Sequence, residues 1–164
     1  MIDFFRQNQI FQSRTRDATN VELPDACISL RRTAIVALTA NAWTNITWQA
    51  QIRGQQITWN GTTTITLPAD GYYQLSLSYA TSATTNTVVG LIINATIFQN
   101  MGAITATTIP TTAYHASMTR YFSANDTVAI RVYSTNAVNL NAVAENSAFE
   151  SPILHVIQLT RTAL

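Results

Sequence analysis

The stretch Leu67-Pro68-Ala69-Asp70-Gly71-Tyr72-Tyr73-Gln74-Leu75-Ser76-Leu77-Ser78-Tyr79-Ala80-Thr81 decides how the rest of the chain is read. After the Pro-Ala-Asp-Gly turn the side chains alternate, with Tyr73, Leu75, Leu77 and Tyr79 on one face and Tyr72, Gln74, Ser76 and Ser78 on the other. That period of two predicts a half-buried central strand. Pro68 presets one backbone angle of the turn and Asp70-Gly71 tolerates the left-handed region, so the strand starts sharply and its register is set with it.

Outward from this strand the pattern repeats in short pieces. On the N-terminal side, Thr33 to Thr39, Trp43 to Trp48 and Gln56 to Trp59 read as strands, and Asn60-Gly61 is a tight-turn signal answered by Thr63 to Leu67. Gln56 to Leu67 is therefore expected to form a hairpin. On the C-terminal side, Thr87 to Phe98 is a near-continuous apolar run with Asn94-Ala95 as its turn, and residues 101 to 112 read as a loop or irregular edge. Ala113 to Phe122 places Tyr114, Ala116, Met118, Arg120 and Phe122 on one side, and Ala124-Asn125-Asp126 turns the chain into Thr127 to Tyr133. A weaker strand is expected over Ala137 to Phe149, and a last one from Pro152 to Thr162. Eight to ten short strands without a credible helix predict an all-β fold, an antiparallel two-sheet sandwich of jelly-roll type over residues 33–164.

Residues 1–32 differ in composition. They hold Arg6, Arg14, Arg16, Arg31 and Arg32, five of the nine cations, and four of the eight acids, so the remaining 132 residues are almost uncharged. Leu23-Pro24-Asp25 breaks any helix there, and Ile2, Phe4, Phe5, Ile10 and Phe11 recur without a sustained period. An extended N-terminal arm is expected. Phe4, Phe5, Arg6, Ile10, Phe11, Arg14 and Arg16 are its candidate contacts with a neighbouring subunit or a larger shell; the alternative is a strap packed back on its own domain.

Composition excludes several functions. A net charge of +1 gives no basic face for nucleic acid. The single Cys27 rules out an intramolecular disulfide framework and is read as a small hydrophobe near a strand end. Met1-Ile2-Asp3-Phe4-Phe5-Arg6-Gln7 lacks the charged start and apolar run of a secretion signal, and no run of roughly 18 apolar residues is present, so synthesis in a cytoplasm and no membrane partner are expected. Four Asn-x-Thr sequences, at Asn45, Asn60, Asn94 and Asn125, follow from the abundance of both residues.

Three segments together resemble the globular heads of the tumour-necrosis-factor and complement type. Leu67 to Leu75 is similar to that family's Pro-x-x-Gly-x-Tyr approach to a central strand, Ala124 to Ile130 to its Asn-Asp-x-Val strand, and Ser147 to Leu154 to its final Phe-x-Gly-aliphatic strand, although Ser151-Pro152 stands where Gly-Phe is usual. The resemblance implies a jelly roll that associates as a homotrimer. Tyr73, Tyr79, Tyr114, Tyr121 and Tyr133 are the candidates for the seam it implies. Viruses reuse this fold in capsid decoration trimers and in tail-fibre tips, which makes the expected role a decoration (cement) protein on the capsid exterior of a bacteriophage virion, with the major capsid protein as partner. The alternative is the receptor-binding head of a tail fibre or a trimeric extracellular ligand-binding module.

Nucleophilic catalysis needs a base with an orienting group, and the only histidines, His115 and His155, fall in strands at the edge of packed side chains. Two histidines and a distant cysteine have no zinc spacing, and the acids are too scattered for paired-carboxylate chemistry. Asp70, Asn125 and Asp126 would suit calcium if their loops converged, yet as turn formers they already have an explanation. No catalytic, metal or cofactor-binding residue is assigned, and the chain is expected not to be an enzyme. Trp43, Trp48 and Trp59 are read as core or inter-subunit packing; as sugar-stacking rings they would need a polar clamp that their sequence neighbours do not supply.

Overall fold

The computed structural model describes residues 26–104, 114–140 and 152–161, and these form thirteen strands with no helix among them. In chain order they are β1 (Cys27–Arg31), β2 (Val36–Leu38), β3 (Ala42–Asn45), β4 (Ala50–Gln55), β5 (Thr58–Trp59), β6 (Thr64–Thr66) and β7 (Gly71–Tyr79). They continue with β8 (Thr87–Ile93), β9 (Ile97–Ile104), β10 (Tyr114–Phe122), β11 (Thr127–Ser134), β12 (Val138–Leu140) and β13 (Ile153–Arg161). Sheet one runs β10-β7-β13-β1-β4 and sheet two β5-β6-β11-β8-β9, with β12-β2 as a small separate ribbon. Every ladder is antiparallel, and neighbours in space are mostly not neighbours in sequence, as a jelly roll requires.

The predicted central strand is central. β7 alternates as its sequence demands, Tyr73, Leu75, Leu77 and Tyr79 inward and Tyr72 and Gln74 exposed, and it is held by β10 on one side and β13 on the other. The inward faces of both sheets meet in one core: Leu30, Leu75, Leu77, Leu154 and Val156 from sheet one against Ile65, Val89, Leu91, Val128, Ile130 and Val132 from sheet two. Tyr73 and Phe122 pack edge to face at 5.9 Å inside it. At one edge the Arg120 guanidinium donates to the Gln99 side-chain oxygen, tying β10 to β9 and so one sheet to the other.

The expected boundary between an arm and a domain at Arg32 does not hold for the last residues of that arm. Cys27–Arg31 is a full member of sheet one, paired with β13 on one side and β4 on the other, and Ile28 and Leu30 are fully buried. Arg32 is a clamp: its guanidinium donates to the carbonyls of Ala34, Ile35 and Thr47 and to the Thr47 hydroxyl. The arm contacts named above, Phe4 to Arg16, lie outside the described residues, as does most of the strand expected over Ala137 to Phe149, of which β12 is the described part.

Three elements went unpredicted, β1, β4 and β9; the last runs through residues 101–104, expected as loop, because pairing with β8 carries the strand on past the apolar run. β4 (AQIRGQ) is polar and exposed along most of its length, which hid it from a hydrophobic pattern. The hairpin expected over Gln56 to Leu67 is present as β5 and β6, with Trp59 opposite Ile65 and a loop longer than two residues. Asn60 organises that loop, its side-chain carbonyl accepting the N–H groups of Thr62 and Thr64, while Gly61 takes a positive φ of 81°.

Candidate functional site

Three surfaces carry the chemistry. The first is the outward face of sheet one. Register places His115 beside Ser78 and Ile153, and Ser117 beside Ser76, His155 and Ser29. The Nδ1 of His115 lies 2.8 Å from the Ser78 hydroxyl and that of His155 lies 2.8 Å from the Ser29 hydroxyl. Both histidines are exposed on this face rather than sitting at the edge of the core. These are nucleophile-to-base distances, but hydrolysis also needs a group to orient the imidazole and donors for an oxyanion. The carboxylates among the described residues, Asp70 and Asp126, are held in the loops described below. One end of the same face is aromatic. Tyr72 (52% exposed) and Tyr121 (42% exposed) pack edge to face at 5.5 Å, with the exposed Leu159 in the neighbouring β13.

Of the five seam tyrosines expected, three are unavailable to a second copy. Tyr73, Tyr79 and Tyr114 are buried in the core of their own sandwich. The Tyr73 hydroxyl donates to the Ala69 carbonyl at 2.9 Å, and Tyr79 shares a 2.5 Å hydrogen bond with the Thr87 hydroxyl. Burial pushes the Tyr79 phenol up to about 12, opposed in part by the Thr87 hydrogen bond and reinforced by Tyr114. Tyr121 is exposed on the outer face of sheet one, and Tyr133 is half-buried on the outer face of sheet two. Alternation states which residues share a face; tyrosine on both faces of β7 left open which of them turned inward. Tyr72 was the exposed partner that this reasoning missed.

The second surface is the loop end. The turns before β7 and before β11 do converge, since Leu67 N–H donates to the Asp126 carbonyl and Asn125 N–H to the Leu67 carbonyl. Their carboxylates are engaged with protein donors: Asp70 accepts the Ala124 N–H at 2.7 Å, and Asp126 accepts the Ser123 N–H and the Asn94 side-chain amide. Among the described residues no group of three His, Cys, Asp or Glu side chains is placed to hold a metal ion.

The third surface is the outward face of sheet two, where an aromatic cluster sits beside a recess. Trp43 of β3 packs edge to face on Phe98 of β9 at 4.7 Å and lies 5.5 Å from Tyr133 of β11. Gly90 makes this possible: a Cβ there would meet the Phe98 ring at 2.3 Å and Trp43 at 3.0 Å. Trp48, by contrast, is fully buried, and Trp59 is half-buried against the core. Next to the cluster is a recess of about 220 Å³ lined by Asn45, Thr63, Thr64, Ile92, Ala95, Thr127, Val128 and Ala129.

The strand order and burial define a jelly roll of the tumour-necrosis-factor and complement-head type, and solved structures agree. The crystal structure of murine APRIL superposes with a TM-score of 0.58 at 12% identity, covering 82% of this chain and 98% of that one. The Eiger TNF of S. frugiperda matches at 0.54 and 16% identity over 85% of this chain and 96% of its own. The globular domain of zebrafish complement 1qA matches at 0.54 and 8% identity over 84% and 99%. No protein-family model and no curated protein sequence matches the chain. At these identities the likeness is one of fold.

Proposed function

We propose that this chain is a non-catalytic binding module that works as a homotrimer, joined through the outward face of sheet one. The observation that carries the proposal is the makeup of that face. It presents an exposed aromatic pair at one end, Tyr72 and Tyr121, with the half-buried Ile153 and Ile157, and its polar groups are serines, threonine, glutamine and the exposed His115 and His155. Contiguous exposed apolar groups with little charge mark association surfaces. A copy of the same chain is the occupant that the resemblance to trimeric heads favours. Light scattering on the purified chain should give three times the 18.0 kDa monomer mass. Tyr121→Glu with Tyr72→Glu should give a folded monomer, because each places a charge where the seam is dry. A wild-type monomer at micromolar concentration ends the proposal.

As the particular assembly we propose a virion, with the trimer decorating the capsid exterior and residues 1–25 reaching the major capsid protein. A partner that binds only the assembled shell stabilises it by mass action. Because β1 belongs to the sheet, the truncation that tests the arm removes residues before Ala26 and not those up to Arg32. The shortened chain should still trimerise and should no longer bind particles. A second reading, the receptor-binding head of a tail fibre, is favoured by the recess on sheet two.

A further inference from the structure

We propose that the recess on the outward face of sheet two is a binding site for one ring of a neutral saccharide. Its floor is apolar, Ile92 of β8 and Ala129 of β11, which stand opposite each other in register. Its walls are hydroxyl and amide groups, with Thr63 and Thr64 on one side, Thr127 at the end, and Asn45. Half apolar and half uncharged polar is the makeup of a sugar ring itself, whose C–H faces are apolar and whose rim carries hydroxyls. No carboxylate lines the recess to attract a cation and no cation lines it to hold a phosphate. Its volume of about 220 Å³ is below the roughly 300–1,000 Å³ of pockets for drug-sized ligands, which limits it to a single ring.

Donors and acceptors are available and held in place. The Asn45 side-chain oxygen accepts from Arg131 Nε at 2.9 Å, and this orients the amide so that its NH₂ is left for a ligand hydroxyl. Thr127 is fixed by Asn94, whose side-chain oxygen accepts both the Thr127 N–H and its hydroxyl, leaving the Thr127 oxygen free to accept. Ala95, on the wall, is in the left-handed region at φ 59°, a conformation with a steric cost for alanine.

The aromatic component comes from across the sheet. Phe98 of β9 pairs in register with Ile92 of the floor and is 44% exposed, its ring lying over Gly90. Trp43 and the absence of a side chain on Gly90 fix that ring's position. An exposed ring held one strand away from a recess of hydroxyl and amide groups offers a surface for a sugar's C–H face beside groups for its hydroxyls. The hydrogen-bonding groups of the recess come from β3, β6 and β11 and the loop before β6, far apart in the chain.

The test is saturation-transfer NMR on the full chain with the methyl glycosides of glucose, galactose, mannose and N-acetylglucosamine. At least one should receive saturation from the protein. That transfer should fall tenfold or more in Ala129→Leu, which fills the floor, or in Thr64→Val, which keeps shape and removes a hydroxyl; circular dichroism confirms that each variant is folded. No transfer to any of the four, or transfer unchanged in both variants, overturns the proposal. It does not depend on the trimer: a trimer that binds no sugar refutes this site alone, and a sugar-binding monomer refutes the oligomeric reading alone.

Discussion

Tyr79 reports on the core through its ionisation. Its phenol is neutral in the folded chain up to about pH 12, whereas in the unfolded chain it ionises near its ordinary value of 10. The unfolded state therefore holds fewer protons than the folded state between those values, and stability must fall as pH rises through that window. Below pH 10 this contribution is fully present. Two pH units correspond to roughly 2–3 kcal/mol by pH 12. Urea unfolding followed from pH 9 to 12 should show this loss, and Tyr79→Phe should remove most of the pH dependence. Trp48 is a second residue with an expectation of its own, because its indole N–H is buried without a hydrogen-bond partner. Trp48→Phe relieves that desolvated donor while losing some packing, so it should change stability by only about 1 kcal/mol, whereas Trp48→Ala should cost about 3–5 kcal/mol. A threefold comparison by chemical denaturation separates them.

Among the elements, turns with positive φ are where small substitutions act. Asn60 receives two backbone N–H groups and the Thr62 hydroxyl in the β5–β6 loop, so Asn60→Ala should destabilise by about 1 kcal/mol with no change in denaturant slope. In the β8–β9 turn the sign reverses for one residue. Ala95 holds φ 59° without a glycine's freedom, so Ala95→Gly should stabilise by up to about 1 kcal/mol, read as a raised melting temperature. A lowered melting temperature would mean that the methyl's contacts outweigh the strain. These turns were legible in the sequence to the extent that Asn-Gly and Asn-Ala punctuate apolar runs. β4 was not, since its glutamines, arginine and glycine give no alternating apolar pattern; β1 alternates Ile28 and Leu30 against Ser29 and Arg31 but is short and follows a charged segment, and its place comes from ladders with β13 and β4.

For the whole molecule, assembly should be governed by burial rather than charge. The proposed seam includes few ionic groups, so raising salt from about 0.1 to 1 M, which shortens the screening length from about 10 to 3 Å, should leave the oligomer mass unchanged. Dissociation on adding salt would show instead that ion pairs hold the copies together.

What the sequence determined by itself is the local part of the fold. The period-two alternation of β7, β10, β11 and β13 set which side chains share a face, because a strand's geometry turns successive residues to opposite sides whatever lies around it. The tertiary structure decided the rest, namely that Cys27–Arg31 lies inside the sheet, that Tyr73, Tyr79 and Tyr114 belong to the core while Tyr72 faces out, and that Trp43 meets Phe98 over Gly90. The reason is that ladders and packed faces join residues far apart in the chain, and no local pattern carries the identity of a distant partner.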